Sequence, residues 1–333
     1  MNNNGVHFMM PTVFNDSGKI DLESMINITK FAKDSGCVGI VLLGVMGEAH
    51  RLSEEERNLL IKEISNSSKK LSLILTIGVS AESGYLVSKY SETASNAGAE
   101  QVMVAPPIMK KPNEKVLHRY YEEVNNSIDD NTKIVIQDLP DQSGVYMSPE
   151  FMVNLDKSLE KVNSIKLEDP PTPSKISKIV KIKSKDLKIF GGLGGLFFLE
   201  ELLRGASGTM TGFAFTEILV QIYDLYNSKK TNVNGETKPP LPPSSTNTTL
   251  YAFQADIERL KRELKEEKAL NKELLEEAIN FVETGKCPDL KDDINRQLLF
   301  SNQFGTYVID KADSDSFSFP KDPVPYNLSL IHI

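Results

Sequence analysis

Eight short β-rich runs, each followed by a longer amphipathic stretch, occupy the first 228 residues, and this alternation restricts the fold more than any other feature of the chain. The runs are Val6–Pro11, Val38–Leu43, Leu71–Ile77, Gln101–Ala105, Lys133–Gln137, Val162–Lys166, Leu187–Phe190 and Gly208–Thr211. Helices are predicted over Leu22–Asp34, Ser53–Ser65, Ala81–Asn96, Asn113–Ile128, Pro149–Leu155, Pro173–Lys181, Leu196–Arg204 and Thr216–Asn227. The clearest of these begins with Ser53 as a cap and Glu56 three residues on, and Leu59, Leu60 and Ile64 form its apolar face. Strict strand-helix alternation implies parallel strands joined by right-handed crossovers, and eight units favour closure into a (β/α)8 TIM barrel. An open doubly wound sheet would call for G-x-G-x-x-G after the first strand, where this chain has Pro11-Thr12-Val13-Phe14.

Beyond residue 228 the character changes. Residues 229–249 hold Pro239-Pro240-Leu241-Pro242-Pro243 and then a Ser/Thr/Asn-rich run, the composition of an extended linker. Over 250–285, Leu250, Phe253, Ile257, Leu260, Leu264, Leu274, Ala278 and Phe281 follow a 3-4 spacing, which predicts a coiled-coil-like helix ending near Gly285. Glu267 and Asn271 interrupt its seam, leaving open self-association or packing on the barrel. Residues 286–327 show no periodicity and are expected to form an irregular tail. The last six, Leu-Ser-Leu-Ile-His-Ile at 328–333, back-translate into a transposase end used to fragment DNA for sequencing, so an assembly artefact is expected there and His332 carries no functional weight.

A formal net charge of -8 argues against a nucleic-acid partner, because phosphate-binding surfaces carry a basic excess. Two cysteines, Cys37 and Cys287, are too few for a disulfide framework and fit a reducing compartment. The longest apolar run, Cys37–Met46, is too short to span a bilayer, and the first residues lack the pattern of a signal peptide. A cytoplasmic protein with small-molecule partners and no membrane partner is expected.

Two places carry candidate chemistry. The second strand runs into Gly44-Val45-Met46-Gly47-Glu48, where glycines let backbone N–H groups approach a ligand, and N–H groups at the C-terminal mouth of a barrel favour a carboxylate. The sixth strand ends in Lys166-Leu167-Glu168, and strand alternation puts Lys166 and Glu168 on one face. Inside a barrel a lysine is costly as a cation and becomes a nucleophile when its pKa is lowered. Gly191 to Gly195 and Thr209 to Gly212 complete the mouth, with Gly192 and Thr209 expected to pack against substrate. The histidines lack the spaced partners of a metal site, so no metal is expected; His50 is a candidate substrate contact.

The chain resembles the dihydrodipicolinate synthase/N-acetylneuraminate lyase family. The motifs are Gly5-Val6, Pro11-Thr12-Val13-Phe14, Gly39, Gly44 to Glu48, Leu52-Ser53-Glu54-Glu55-Glu56-Arg57, Lys111-Pro112, Pro140 with Ser143-Gly144-Val145, Ile165-Lys166 and Gly205-Ala206-Ser207-Gly208, in order over about residues 5–227. The resemblance implies an imine between Lys166 and a 2-oxo acid, with the Gly44–Glu48 turn holding the substrate carboxylate. It implies class I aldolase-type chemistry without a cofactor, because the protonated imine is the electron sink, and a homo-oligomer.

The departures from the family are as informative. Two hydroxyl residues of its second turn are Val45 and Met46 here, and its proton-relaying tyrosine is Gln137, followed by Asp138. Glutamine does not titrate, so Glu168 becomes the candidate acid/base, with Asp138 and Glu48 as weaker candidates. The expected function is a Schiff-base lyase or dehydratase of a 2-oxo acid, of the 2-oxo-3-deoxy sugar acid type. The alternative is an inactive 2-oxo-acid-binding or scaffold barrel.

Overall fold

The computed structural model describes residues 3–230 and the strand segments 299–302 and 305–308. Eight parallel strands close into a barrel in sequence order: β1 (Gly5–Met9), β2 (Gly39–Leu42), β3 (Ile74–Gly78), β4 (Gln101–Val104), β5 (Lys133–Asp138), β6 (Val162–Leu167), β7 (Lys188–Gly191) and β8 (Gly208–Thr211), with β8 returning to β1. Between and after them run α1 (Leu22–Asp34), α2 (Glu54–Leu71), α3 (Gly84–Asn96), α4 (Glu114–Ser127), a single turn α5 (Pro140–Ser143), α6 (Pro149–Ser158), α7 (Thr172–Ile182), α8 (Phe198–Leu203) and α9 (Thr216–Lys230). The predicted eight-unit alternation is the observed one. Among the described residues no helix is long and apolar enough to cross a membrane. The linker and the coiled-coil-like helix expected over 229–285 lie outside the described residues apart from the end of α9, as does the 328–333 segment. Within the segment expected to be irregular, β9 (Leu299–Asn302) pairs antiparallel with β10 (Gly305–Val308).

The strands bury both faces. Residues of one parity, such as Val6, Phe8, Ile40, Leu42, Ile134, Ile136, Ile165 and Leu167, join the helices in one large core. Those of the other parity fill the barrel, where Met9, Val41, Met103, Val135, Phe190 and Met210 pack together with Met46 from the second turn. This two-sided burial explains why the strands appear in the sequence as continuous apolar runs rather than alternating ones.

The α2 start has the expected capping box: the Ser53 hydroxyl accepts from Glu56 N at 3.2 Å, and Glu56 Oε2 accepts from Ser53 N at 2.8 Å. The helix runs past its expected end to Leu71, and β3 begins at Ile74, not Leu71. Ser72 terminates it in the left-handed conformation, so the apolar Leu71 closes the helix and only Leu73 and its successors enter the barrel wall.

Below the methionine layer the barrel holds one imidazole. His7 is fully buried, its Nε2 lies 2.8 Å from Asn3 O, and its ring meets Phe190 edge-on at 5.3 Å. Burial, aided by nearby Lys188 and opposed by the Asn3 bond, pushes its pKa down to about 4. The unfolded chain takes up a proton on His7 below about pH 6.5, whereas the folded chain resists protonation down to about pH 4. His7 therefore supports the fold fully at neutral pH, and roughly 2–3 kcal/mol is lost by pH 4.5. Melting curves at pH 7 and 4.5 should differ by several degrees in the wild type, with a smaller difference in His7→Asn; an unchanged difference would exclude His7 as the cause.

Candidate active site

The end of β6 builds the centre of the site. Lys166 and Glu168 share the inward face, and Lys166 Nζ lies 2.9 Å from Glu168 Oε1. The other oxygen, Oε2, accepts from Gln137 Nε2 at 2.8 Å, and Gln137 lies beside Lys166 in the β5–β6 register. All three side chains are nearly inaccessible, Lys166 at 2%. The Glu168 backbone is fixed as well, its N–H donating to Asp138 O at 2.9 Å. The carboxylate is thus held at both oxygens and at its own backbone, with its Oε1 on the amine.

Around the amine the wall is soft and apolar. Met9 Sδ lies 3.8 Å from Lys166 Nζ. The same side chain packs its methyl so closely on Gly44 that a Cβ there would overlap it. Met9 therefore bridges Lys166 and the second turn. Met46 is buried against Gly212 after β8, and Val45 is half-buried. Within the turn, Gly47 N donates to Gly44 O and Glu48 N to Val45 O, both at 3.0 Å, while no backbone carbonyl among the described residues takes the Val45 or Met46 N–H.

Two motifs of the sequence fix this turn. The Thr12 hydroxyl donates to Gly47 O at 2.7 Å, tying the first turn to the second. Arg57, buried on α2 and stacked 4.2 Å over the Tyr90 ring, donates to Ala49 O at 3.1 Å and reaches Gly78 O at 3.5 Å. Both residues position backbone and leave the turn's head open.

Other expected site residues fall elsewhere. Glu48 points outward, with its carboxylate 3.0 Å from Arg51 Nη1, and His50 is exposed. Asp138 lies on the far side of β5 from Gln137, fully buried, where Oδ2 meets Lys175 Nζ at 2.6 Å; Lys175 also reaches Asp169 Oδ2 at 2.8 Å. Burial raises the Asp138 carboxyl to about 6 against the pull of Lys175. Thr209 pairs with Val6 and so faces the helices, whereas Met210, one residue on, faces the lumen. One step along a strand exchanges the two faces, so the side chain in the lumen there is that of Met210, not Thr209. Gly192 does reach the site: a Cβ at that position would lie 2.6 Å from Glu168 Cγ and 2.7 Å from Oε1. Among the described residues no group of three or more His, Cys, Asp or Glu is placed to hold a metal ion.

A lysine-carboxylate pair in the lumen at the C-terminal end of a (β/α)8 barrel is one feature; a second, independent one is the sequence as a whole, because a model of the Dihydrodipicolinate synthetase family matches residues 2–236. The chain belongs to the dihydrodipicolinate synthetase family. Like other members it is a class I aldolase-type lyase. The chain is similar to L-2-keto-3-deoxyarabonate dehydratase of Azospirillum brasilense, 27% identical over 219 residues, which are 64% of this chain and 69% of that protein. It is also similar to 4-hydroxy-tetrahydrodipicolinate synthase of Thermosipho africanus (strain TCF52B), 25% identical over 233 residues, 70% of this chain and 76% of the relative. The crystal structure of dihydrodipicolinate synthase from Rhodopseudomonas palustris superposes with a TM-score of 0.64 at 30% identity, covering 68% of this chain and 75% of that one.

For this member of the family, the contact between Gly192 and Glu168 has a direct consequence. In Gly192→Ala the new methyl meets the carboxylate, and moving it breaks the bonds to Lys166 and Gln137. Misplacing a group in an active site by about an ångström costs about 10²-fold, so turnover should fall by about that factor, with far-UV circular dichroism unchanged. Wild-type turnover in Gly192→Ala would show that Glu168 tolerates displacement.

Proposed function

We propose that this protein is a Schiff-base dehydratase of a 2-oxo-3-deoxy sugar acid, with Lys166 as the nucleophile and Glu168 as the acid/base. The observation that carries the reading is the Glu168 carboxylate itself, 2.9 Å from Lys166 Nζ and steadied by the non-titrating Gln137. A general acid/base must lie within hydrogen-bond reach of the proton it moves, and a carboxylate on the amine that forms the imine is the titrating group placed nearest to the imine carbon. The name of the Azospirillum brasilense relative adds support from a separate source.

In this reading Glu168 takes a proton from the Lys166 ammonium, the freed amine attacks the C2 carbonyl, and that proton passes to the carbonyl oxygen, which leaves as water and gives the protonated imine. Glu168 takes a proton from C3, and the C–H electron pair forms the enamine. The enamine then expels the hydroxyl on C4, which leaves as water with the proton that Glu168 had accepted. Water finally hydrolyses the unsaturated imine and frees Lys166. One carboxyl carries one proton from C3 to the leaving hydroxyl, so no second titrating group is needed in place of the family's tyrosine. The C1 carboxylate is received by the Val45 and Met46 N–H groups, since neither side chain offers a hydroxyl. Retro-aldol cleavage would use the same imine but would start by removing the C4 hydroxyl proton and would release pyruvate.

Borohydride reduction in the presence of pyruvate, read by peptide mass spectrometry, should leave an adduct on the peptide containing Lys166 and none in Lys166→Ala. With 2-oxo-3-deoxy pentonates and hexonates, a dehydrated 2-oxo acid is the expected product, and Glu168→Gln should slow its formation by about 10²–10⁴-fold. Stoichiometric pyruvate would establish cleavage instead. Absence of any adduct would favour a binding or scaffold role.

A further inference from the structure

A second carboxyl is buried one strand thickness away from the site, and the chemistry described so far does not use it. Glu201, on α8, is 1% exposed. Its Oε1 accepts from the Thr172 hydroxyl at 2.5 Å, and its Oε2 has no hydrogen-bond partner among the described residues. That oxygen lies against Gly191, where a Cβ would overlap it, just as Glu168 lies against Gly192. The two glycines at the end of β7 therefore have a carboxyl on each side, Glu201 toward the helices and Glu168 toward the lumen. Thr172 is the first residue of α7, four residues after Glu168. The Glu201 carboxyl thus touches both backbone segments that frame Glu168: the β6–α7 segment at Thr172 and the β7 end at Gly191.

We propose that Glu201 is a positioning residue for Glu168, clamping from the far side of β7 the two segments between which the Glu168 carboxylate is fixed. This rests on the reading of Glu168 as the acid/base.

The clamp works with Glu201 protonated. Burial pushes its pKa up to about 8; the Thr172 hydroxyl opposes this rise, while the charges of Glu200 and Glu168 add to it. Those two carboxylates, from its own helix and from the end of β6, are the charges that act on it, while α7 supplies the Thr172 hydroxyl and β7 the Gly191 backbone. Below pH 8 the site faces a neutral acid. Above it a second negative charge appears across one backbone from Glu168, and the two carboxylates repel through a low-dielectric wall.

Exchange of the pyruvate methyl protons in D₂O, followed by proton NMR from pH 6 to 10, tests this without knowledge of the full substrate, because enamine formation breaks the C3–H bond and reversal adds a deuteron. The quantity compared is each protein's rate at pH 9.5 relative to its own rate at pH 7. In the wild type that ratio should fall by about tenfold beyond an inflection near pH 8, one proton being involved. Glu201→Gln should lose the inflection, and Thr172→Val, which removes the bond that favours the ionised form, should move it to higher pH. Glu168→Gln serves as the reference. If Glu168→Gln exchanges slowly while Glu201→Gln and Thr172→Val keep the wild-type inflection, the positioning role is overturned alone. If Glu168→Gln exchanges at the wild-type rate, the acid/base reading falls and takes this one with it. A Glu201→Gln chain that does not fold leaves Thr172→Val to decide.

Discussion

An ammonium group in the lumen of a packed barrel needs a counter-charge, and the pairing of Lys166 with Glu168 is the interaction on which the site depends. Removing two ions from water costs several kcal/mol each, and mutual attraction offsets this only when the geometry is good and the remaining polar atoms are satisfied. Both conditions hold here. Glu168 has one oxygen on Lys166 and the other on Gln137, and its N–H is taken by Asp138 O. The pair is therefore ordered before a substrate arrives. The surrounding thioethers of Met9, Met46, Met103 and Met210 add no competing hydrogen-bond donor and adapt their shape at little cost. A lysine paired this way is kept close to a proton acceptor, which is the geometry that imine formation and proton transfer both require.

The departures from the family pattern make sense as a set. Replacing a tyrosine by Gln137 removes a titrating group, but the amide donates to Glu168 and so fixes the residue proposed to take over the proton. The carboxylate needs room, and Gly192 provides it by having no Cβ. In the second turn, Met46 turns its side chain to Gly212 and Val45 lacks a polar group, so the polar groups that Val45 and Met46 can offer are their backbone N–H groups. That backbone is then held with unusual care, by the Thr12 hydroxyl on Gly47 O and by Arg57 on Ala49 O.

How far the sequence was legible follows from the range of the interactions involved. Strand-helix alternation, the Ser53–Glu56 box and the shared face of Lys166 and Glu168 are local, and each appears in the structure where spacing placed it. Asp138 and Thr209 were each one residue from the right face; a strand's parity is unforgiving, and Gln137 and Met210 occupy the lumen instead. Lys175 and Glu201 were invisible because a charged residue on an amphipathic helix is usually solvated. Nothing in Phe198–Leu203 signals that one of its two glutamates is sealed against a strand end. Met9 was missed for a related reason: an apolar residue in a first strand suggests core, and its contacts with Lys166 and Gly44 arise only when the barrel closes.

The end of β7 shows why two adjacent glycines are needed at one place. Successive strand residues face opposite sides, so a carboxyl can approach the strand closely from each side only if both positions lack a Cβ. Gly191 admits Glu201 and Gly192 admits Glu168. Their environments differ in one decisive respect. Glu168 has an ammonium partner, while Glu201 has a hydroxyl and an unmatched oxygen. The same wall therefore separates a carboxyl paired with an ammonium from one that burial pushes toward the neutral acid. One of these carboxyls faces the lysine and can move a proton; the other faces only backbone and a hydroxyl, and what it can do is hold its neighbour in place.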